Sequence, residues 1–247
     1  MKINIETMYK LSKIKNSAYD TLKIEYLYNS NKLEGSTFSK ENLIDLLEQK
    51  QVKGEHFLDD VIETKNSLEL FDTVINTLEE PFDKYLLWEW HRILKKGSVD
   101  DEIDNIGKWK KYSNTLSKVD LKLCEPHLVE NSMFNLIEDW KESKKDIYAI
   151  ADFHQKFEHI HPFQDGNGRI GRFIILRQCI ENEIDLIAID DEYNSEYRKA
   201  LYNAQKTGNI EQLVEVFKKS QQRLDEKLVE FKETIEQVAK EIKNDKK

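Results

Sequence analysis

The chain has 247 residues, with 38 Lys and Arg against 47 Asp and Glu, a formal net charge of −9. A balance this acidic lacks the electrostatic footprint of a duplex nucleic-acid binder, so nucleic acid is not expected as a ligand. Apolar residues make up 39% and charged ones 34%, with only 8 Gly and 3 Pro, which excludes a sandwich or a disordered tract and makes an all-α fold the expectation.

Cys124 and Cys179 have no CxxC partner, so neither a zinc frame nor a disulfide framework is expected. The N-terminal stretch is interrupted by Lys and Asn and never reaches the run of about 7–15 apolar residues of a signal peptide. No segment approaches the roughly 18–20 apolar residues of a membrane span, and a cytoplasmic location without membrane partners is the expectation.

In chain order, Leu22, Tyr26 and Leu27 mark a helix from about Tyr19 to Leu33, stopped at Gly35. Ser39 caps a second helix carrying Leu43, Leu46 and Leu47, and the span from Phe57 to Ile75 is a third. Pro81 opens a fourth, with Tyr85, Trp88, His91 and Ile93 or Leu94 toward the core, ending near Gly97. Residues 106–123 break the helical pattern, and their β-formers and turn pairs predict a lone hairpin. Pro126 begins an amphipathic helix through Trp140, and Asp146 caps the next, which carries Ile150, Phe153, His154 and Phe157.

A loop then leads into a helix from Arg169 to about Glu181, apolar on most sides and therefore expected at the centre of a bundle. A helix from Tyr193 to Gln205 closes at Gly208-Asn209. From Leu224 the apolar residues Leu228, Phe231, Ile235, Val238 and Ile242 follow at steps of 4, 3, 4, 3 and 4. That heptad rhythm fits either a helix folded back on the domain or the seam of a homodimer.

The chemistry concentrates in HPFQDGNGRIGR, residues 161–172. Gly166 and Gly168 permit a tight turn that leaves backbone N–H groups at a helix N-terminus, where they and the dipole attract an anion such as phosphate. Arg169 and Arg172 follow on the first helical turn, an unfavourable place for cations unless an anion lies between them. Asp165 supplies a hard oxygen for Mg²⁺ carried with a nucleotide, and His161 has the pKa range of a base for a hydroxyl. Zinc on His154, His159 and His161 is disfavoured, because 100° per residue puts His159 about 140° from His154.

These residues resemble the HPFx(D/E)GNGRxxR signature of the Fic (filamentation induced by cAMP) family, with no departure at a defining position. Ala151, His154, Phe157 and Ile160 match its lead-in helix. The resemblance implies a Fic-type helical bundle with a small β-hairpin flap that transfers AMP from ATP, with Mg²⁺, to a Ser, Thr or Tyr hydroxyl of a target protein or of the chain itself. By it, His161 is the catalytic base and Asp165 holds Mg²⁺. Gly166, Asn167 and Gly168 form the anion hole, and Arg169 and Arg172 bind the phosphate chain. Tyr197, with Leu201, resembles the adenine pocket, and Lys110, Lys111, Tyr112, Ser113, Asn114 and Thr115 occupy the place of the target-binding flap.

Upstream, Ser30-Asn31-Lys32-Leu33-Glu34-Gly35 resembles the family's (S/T)xxxE(G/N) inhibitory motif, which implies that Ser30 and Glu34 restrain the site through Arg172. The implied division is an N-terminal helical region at 1–89 with its inhibitory motif at 30–35, a Fic core at 90–209 with the flap at about 106–123, and a helical tail at 210–247. Kinase activity of the related Doc type, whose members have Lys where Gly168 stands, removal of AMP with Glu34 activating water, phosphocholine transfer and a vestigial binding module are the alternatives.

Overall fold

Asn4, Ser17, Ser39, Asp83 and Asp146 each accept a backbone N–H of the helix that follows, so these five helix starts are written locally. The computed structural model describes residues 1–115 and 120–245. The helices are α1 (Ile5–Leu11), α2 (Ala18–Leu33), α3 (Lys40–Gln49), α4 (Leu58–Asn76), α5 (Lys84–Lys95) and α6 (Val99–Glu102). They continue with α7 (Val129–Glu142), α8 (Ile147–Ile160), α9 (Asn167–Glu181), α10 (Asn194–Thr207), α11 (Glu211–Lys227) and α12 (Lys232–Asp245). No strand occurs among the described residues. No described helix is long and apolar enough to cross a membrane.

Nearly every side chain of α9 from Arg169 to Ile180 is buried, which makes it the axis of the bundle as its all-round apolar pattern requires. Helices α2, α4, α5 and α8 pack on it. One hydrophobic cluster runs from Ile3 to Val238 and joins α1 and α2 to α11 and α12.

Two expectations change, and the fold chooses between the two readings of the heptad tail. Helix α5 begins at Lys84 and not at Pro81, because the Asp83 carboxylate accepts from both Tyr85 and Leu86 N–H at 2.9 and 3.0 Å. Tyr85 then falls on the solvent face and is 65% exposed, while Leu86, Leu87, Trp90, His91 and Leu94 face inward.

The hairpin at 106–123 is absent from the described residues of that stretch, 106–115 and 120–123; residues 116–119 lie outside them. Its backbone pairs elsewhere: Lys110 N–H donates to Pro162 O at 2.8 Å, and Cys124 N–H to His159 O at 3.3 Å. Both arms are thus tied through their backbone to the 159–164 segment.

The heptad seam breaks at a 3₁₀ turn over Val229–Phe231. Helix α12 folds back on α1, burying Ile235 and Val238 and pairing Lys10 with Glu241 at 2.8 Å, so the seam is spent within the chain. Val238→Asp buries a charge in that contact and is expected to lower the melting temperature by roughly 5–10 °C, independent of protein concentration. An unchanged or concentration-dependent melting temperature contradicts intramolecular packing of α12.

Candidate active site

The loop between α8 and α9 is held from all sides. His161 ends α8 with φ 50° and ψ 60°. Its N–H donates to Phe157 O at 2.8 Å. Phe163 stacks on His91, centroids 4.1 Å apart and planes within 3°, and meets Trp109 at 5.2 Å. Gly107 N–H donates to His91 Nδ1 at 3.0 Å, so Nε2 carries the hydrogen and donates to Asp165 O, also at 3.0 Å. Burial pushes His91 down to about 4, which keeps it neutral in that role. Gly166 turns the chain into α9 at φ 79°, where a Cβ would stand 3.3 Å from Leu94.

Asn167 differs from its expected part in the anion hole. Its side chain accepts from Phe163 N–H at 2.8 Å and donates to Phe163 O at 2.9 Å, so it braces the loop from behind. Gly166 N–H is turned to the Asp165 carboxylate. Lys110 and Asn114, expected to clamp a target, are also loop staples. Lys110 is buried and its ammonium donates to Ile160 O at 3.2 Å and Asn114 Oδ1 at 2.8 Å. The Asn114 amide donates to Phe163 O at 3.0 Å. Lys111, Tyr112, Ser113 and Thr115 are exposed.

Arg169 and Arg172 of α9 are each met by a carboxylate from the N-terminal part of the chain. Arg172 donates through Nε to Ser30 Oγ at 2.9 Å, and through Nη2 to Ser30 O at 3.0 Å and Glu34 Oε1 at 2.6 Å. Burial works against the charge on Glu34, but Arg172 and Arg169 outweigh it and hold its carboxyl below the usual value. A Cβ on Gly168 would stand 2.2 Å from Glu34 Oε1, so the space that glycine opens is filled by this carboxylate. Arg169 pairs with Glu63 of α4 and lies 3.8 Å from Asp165.

Behind Arg169, the buried Lys95 ammonium pairs with Glu63, with Asp100 at 2.6 Å and with Asp165 at 2.6 Å. Burial opposes the charge of Asp165, yet Lys95 and Arg169 draw it down to about 2. Carboxylate oxygens of Glu63, Asp100 and Asp165 lie within 4.8 Å of one another. Hard oxygen donors of this kind suit Mg²⁺, so the residues fit the metal that the motif implies. Glu63 and Lys95 were invisible as site residues in the sequence, where they sit inside ordinary amphipathic helices with no motif around them.

A cavity of about 260 Å³ opens beside His161, lined by Glu34, Glu158, Gly168, Arg172 and Tyr197, with Leu201 also on its wall. Tyr197 and Leu201 thus lie on the wall of the cavity beside the motif, the Tyr197 hydroxyl meeting His154 Nε2 at 2.8 Å. Burial, aided by Lys110, pushes His161 down to about 4, so the imidazole is neutral at pH 7 and can accept a proton.

With this geometry in place, the sequence from Pro81 to Cys179 matches the Fic/DOC family. Residues 81–179 are a Fic/DOC family domain. The chain is 36% identical over 80 residues to a probable protein adenylyltransferase of Aquifex aeolicus, a stretch covering 30% of this chain and 25% of that protein. It is 32% identical over 84 residues to a Fido domain-containing protein of Dictyostelium discoideum, covering 30% and 59%. The chain therefore aligns with less than two thirds of either relative. In fold it resembles a Fic domain containing signaling protein from Bacteroides thetaiotaomicron, with TM-score 0.73, 22% identity and coverage of 96% and 97%. It also resembles Fic-1 from C. elegans, with TM-score 0.69, 20% identity and coverage of 92% and 70%. The Fic likeness in fold thus extends over nearly the whole chain.

Lys95 is the counter-charge for three acids. Lys95→Met is expected to lower the melting temperature by roughly 5–10 °C near about pH 7.5, because three neighbouring carboxylates then lose their shared buried counter-charge. The loss shrinks near about pH 3, because without Lys95 the Asp165 carboxyl is no longer drawn down to about 2 and takes up a proton there. Equal losses at both pH values, measured by calorimetry, contradict this account.

Proposed function

We propose that the chain is a protein adenylyltransferase that transfers AMP from ATP to a Ser, Thr or Tyr hydroxyl, restrained by its own Glu34. The observation that carries the reading is the junction at the start of α9. A neutral base, a glycine-opened space and two buried arginines meet there, and a carboxylate occupies the arginine farther along the helix.

In the reaction the target O–H bond breaks and its proton passes to His161. The freed oxygen forms a bond to the α-phosphorus, and the bond from that phosphorus to the pyrophosphate oxygen breaks. Arg169 and Arg172 hold the phosphate chain and offset its charge, as phosphoryl transfer generally needs. Asp165 would hold Mg²⁺, which when bound neutralises phosphate charge. The first-turn N–H groups of α9 add donors that a helix leaves without intrahelical partners. Asn167 contributes by keeping the loop in shape.

In this reading Glu34 keeps the resting enzyme slow. Its carboxylate sits in the space above Gly168 and on Arg172, where phosphate oxygens would otherwise be received. Productive binding of ATP therefore requires Glu34 to leave. The exposed part of the flap stretch, Lys111 to Ser113 and Thr115, is the surface offered to a target, and the chain itself is a candidate target.

ATP labelled at the α-phosphate is expected to label protein, and ATP labelled at the γ-phosphate is not. Label from the γ position alone would move the chain to the kinase reading. Glu34→Gly is expected to raise transfer on the order of ten-fold or more by freeing Arg172. In that background His161→Ala is expected to lower transfer by roughly 10²–10⁴-fold with ATP binding retained. A Glu34→Gly protein no faster than wild type sinks the restraint, and removal of AMP from a modified protein by the wild type would favour the reverse activity.

A further inference from the structure

Glu158 stands three residues before His161 at the end of α8. Its main-chain carbonyl lies 3.3 Å from His161 Nδ1, and Oε2 of its carboxyl lies 3.9 Å from the same nitrogen. A carbonyl only accepts, so Nδ1 carries the hydrogen and Nε2 is left to take a proton. The Glu158 side chain is more than nine-tenths buried, lines the cavity beside His161, and has no hydrogen-bond partner for Oε1 among the described residues.

Helix α9 makes room for it. A Cβ on Gly171 would stand 2.6 Å from Glu158 Oε1, and glycine is otherwise unfavourable inside a helix. A carboxyl buried this way costs stability that an apolar side chain of similar size would not. Retaining an acid at the back of the candidate base calls for a role in which its charge is used.

Resting on the transferase reading, we propose that Glu158 is a positioning residue for His161, whose carboxyl lies behind Nδ1 so that the charge formed when Nε2 takes the target's proton meets a counter-charge. The proton comes from the target hydroxyl as its oxygen bonds to phosphorus, and it ends on Nε2. Nδ1 keeps its own hydrogen, now part of an imidazolium beside Glu158.

The groups facing Glu158 are Arg172 from α9, Tyr197 and Arg198 from α10, Glu34 from the end of α2, and His154 and His161 from its own helix. Lys110 and Asp165 act on His161 in addition. Burial pushes Glu158 up to about 8, Arg172 and Arg198 acting the other way and Glu34 adding to the rise. The counter-charge is therefore present above this range and lost as pH falls. Removing Glu34 shifts the same titration to lower pH.

Two readouts test this. In NMR titrations of imidazole signals, the wild-type His161 ring is expected to move twice, once at its own protonation near about 4 and once as Glu158 ionises; in Glu158→Gln it moves once. In the Glu34→Gly background, kcat for AMP transfer is expected to rise with pH. There Glu158→Gln lowers kcat on the order of ten-fold and flattens that rise while KM for ATP stays within roughly two-fold, and Glu158→Asp keeps the pH dependence. A wild-type ring that moves once, or a Glu158→Gln variant matching its parent in kcat and pH profile, overturns the proposal. A Glu34→Gly protein that transfers no AMP while the wild-type ring moves twice overturns the transferase reading and leaves the coupling of Glu158 to His161 standing.

Discussion

A guanidinium does not shed its proton at any ordinary pH, so the burial of Arg172 on the central helix forces the protein to bring it partners. Ser30 and Glu34 at the C-terminal end of α2 are those partners, and their bonds dock that end of α2 on the start of α9. Arg198 reinforces the placement from α10 by donating to Leu33 O, one residue before Glu34. The same logic operates at Arg169, which α4 meets with Glu63. Both cations stand in the first two turns of α9, and a carboxylate from another part of the chain meets each of them.

The ion-pair chain Arg169–Glu63–Lys95–Asp165 has a different value from its count of contacts. Buried pairs contribute little net stability over apolar packing, yet removing one member strands the others. What such a chain provides is definition: Lys95 is buried and meets three acids, so Asp165 is held at one place while more than half of its side chain still faces solvent. Its carboxylate is kept ionised and accessible, as a ligand for a divalent cation must be.

Preorganisation of the loop is achieved mostly by groups that need not touch substrate. His91 bridges Gly107 and the Asp165 carbonyl, Phe163 stacks on His91, Asn167 closes a reciprocal pair with Phe163, and Lys110 and Asn114 take up the remaining carbonyls. Donors fixed in advance need no reorganisation when charge develops, which is where most electrostatic catalysis originates. The cost appears as backbone strain at His161, a non-glycine residue held at φ 50°.

The sequence by itself determined most of the helices and the motif. Ser39, Asp146, Gly35 and Gly208 act on neighbours within a few residues, and the spacing of His161, Asp165, Arg169 and Arg172 lies within one loop and one helical turn. Short α1 and α6 carry too little periodicity to be seen in that way. Tertiary structure alone decided which side of the heptad pattern was used, since an apolar seam looks the same whether α1 or another chain covers it. It also decided that Lys110 and Asn114 serve the loop, that the Asn167 side chain braces Phe163, and that Glu63, Lys95 and Glu158 lie at the candidate site. Glu63 and Arg169 are 106 residues apart in the chain, and a carboxylate becomes a partner or a buried acid only through what the fold places beside it.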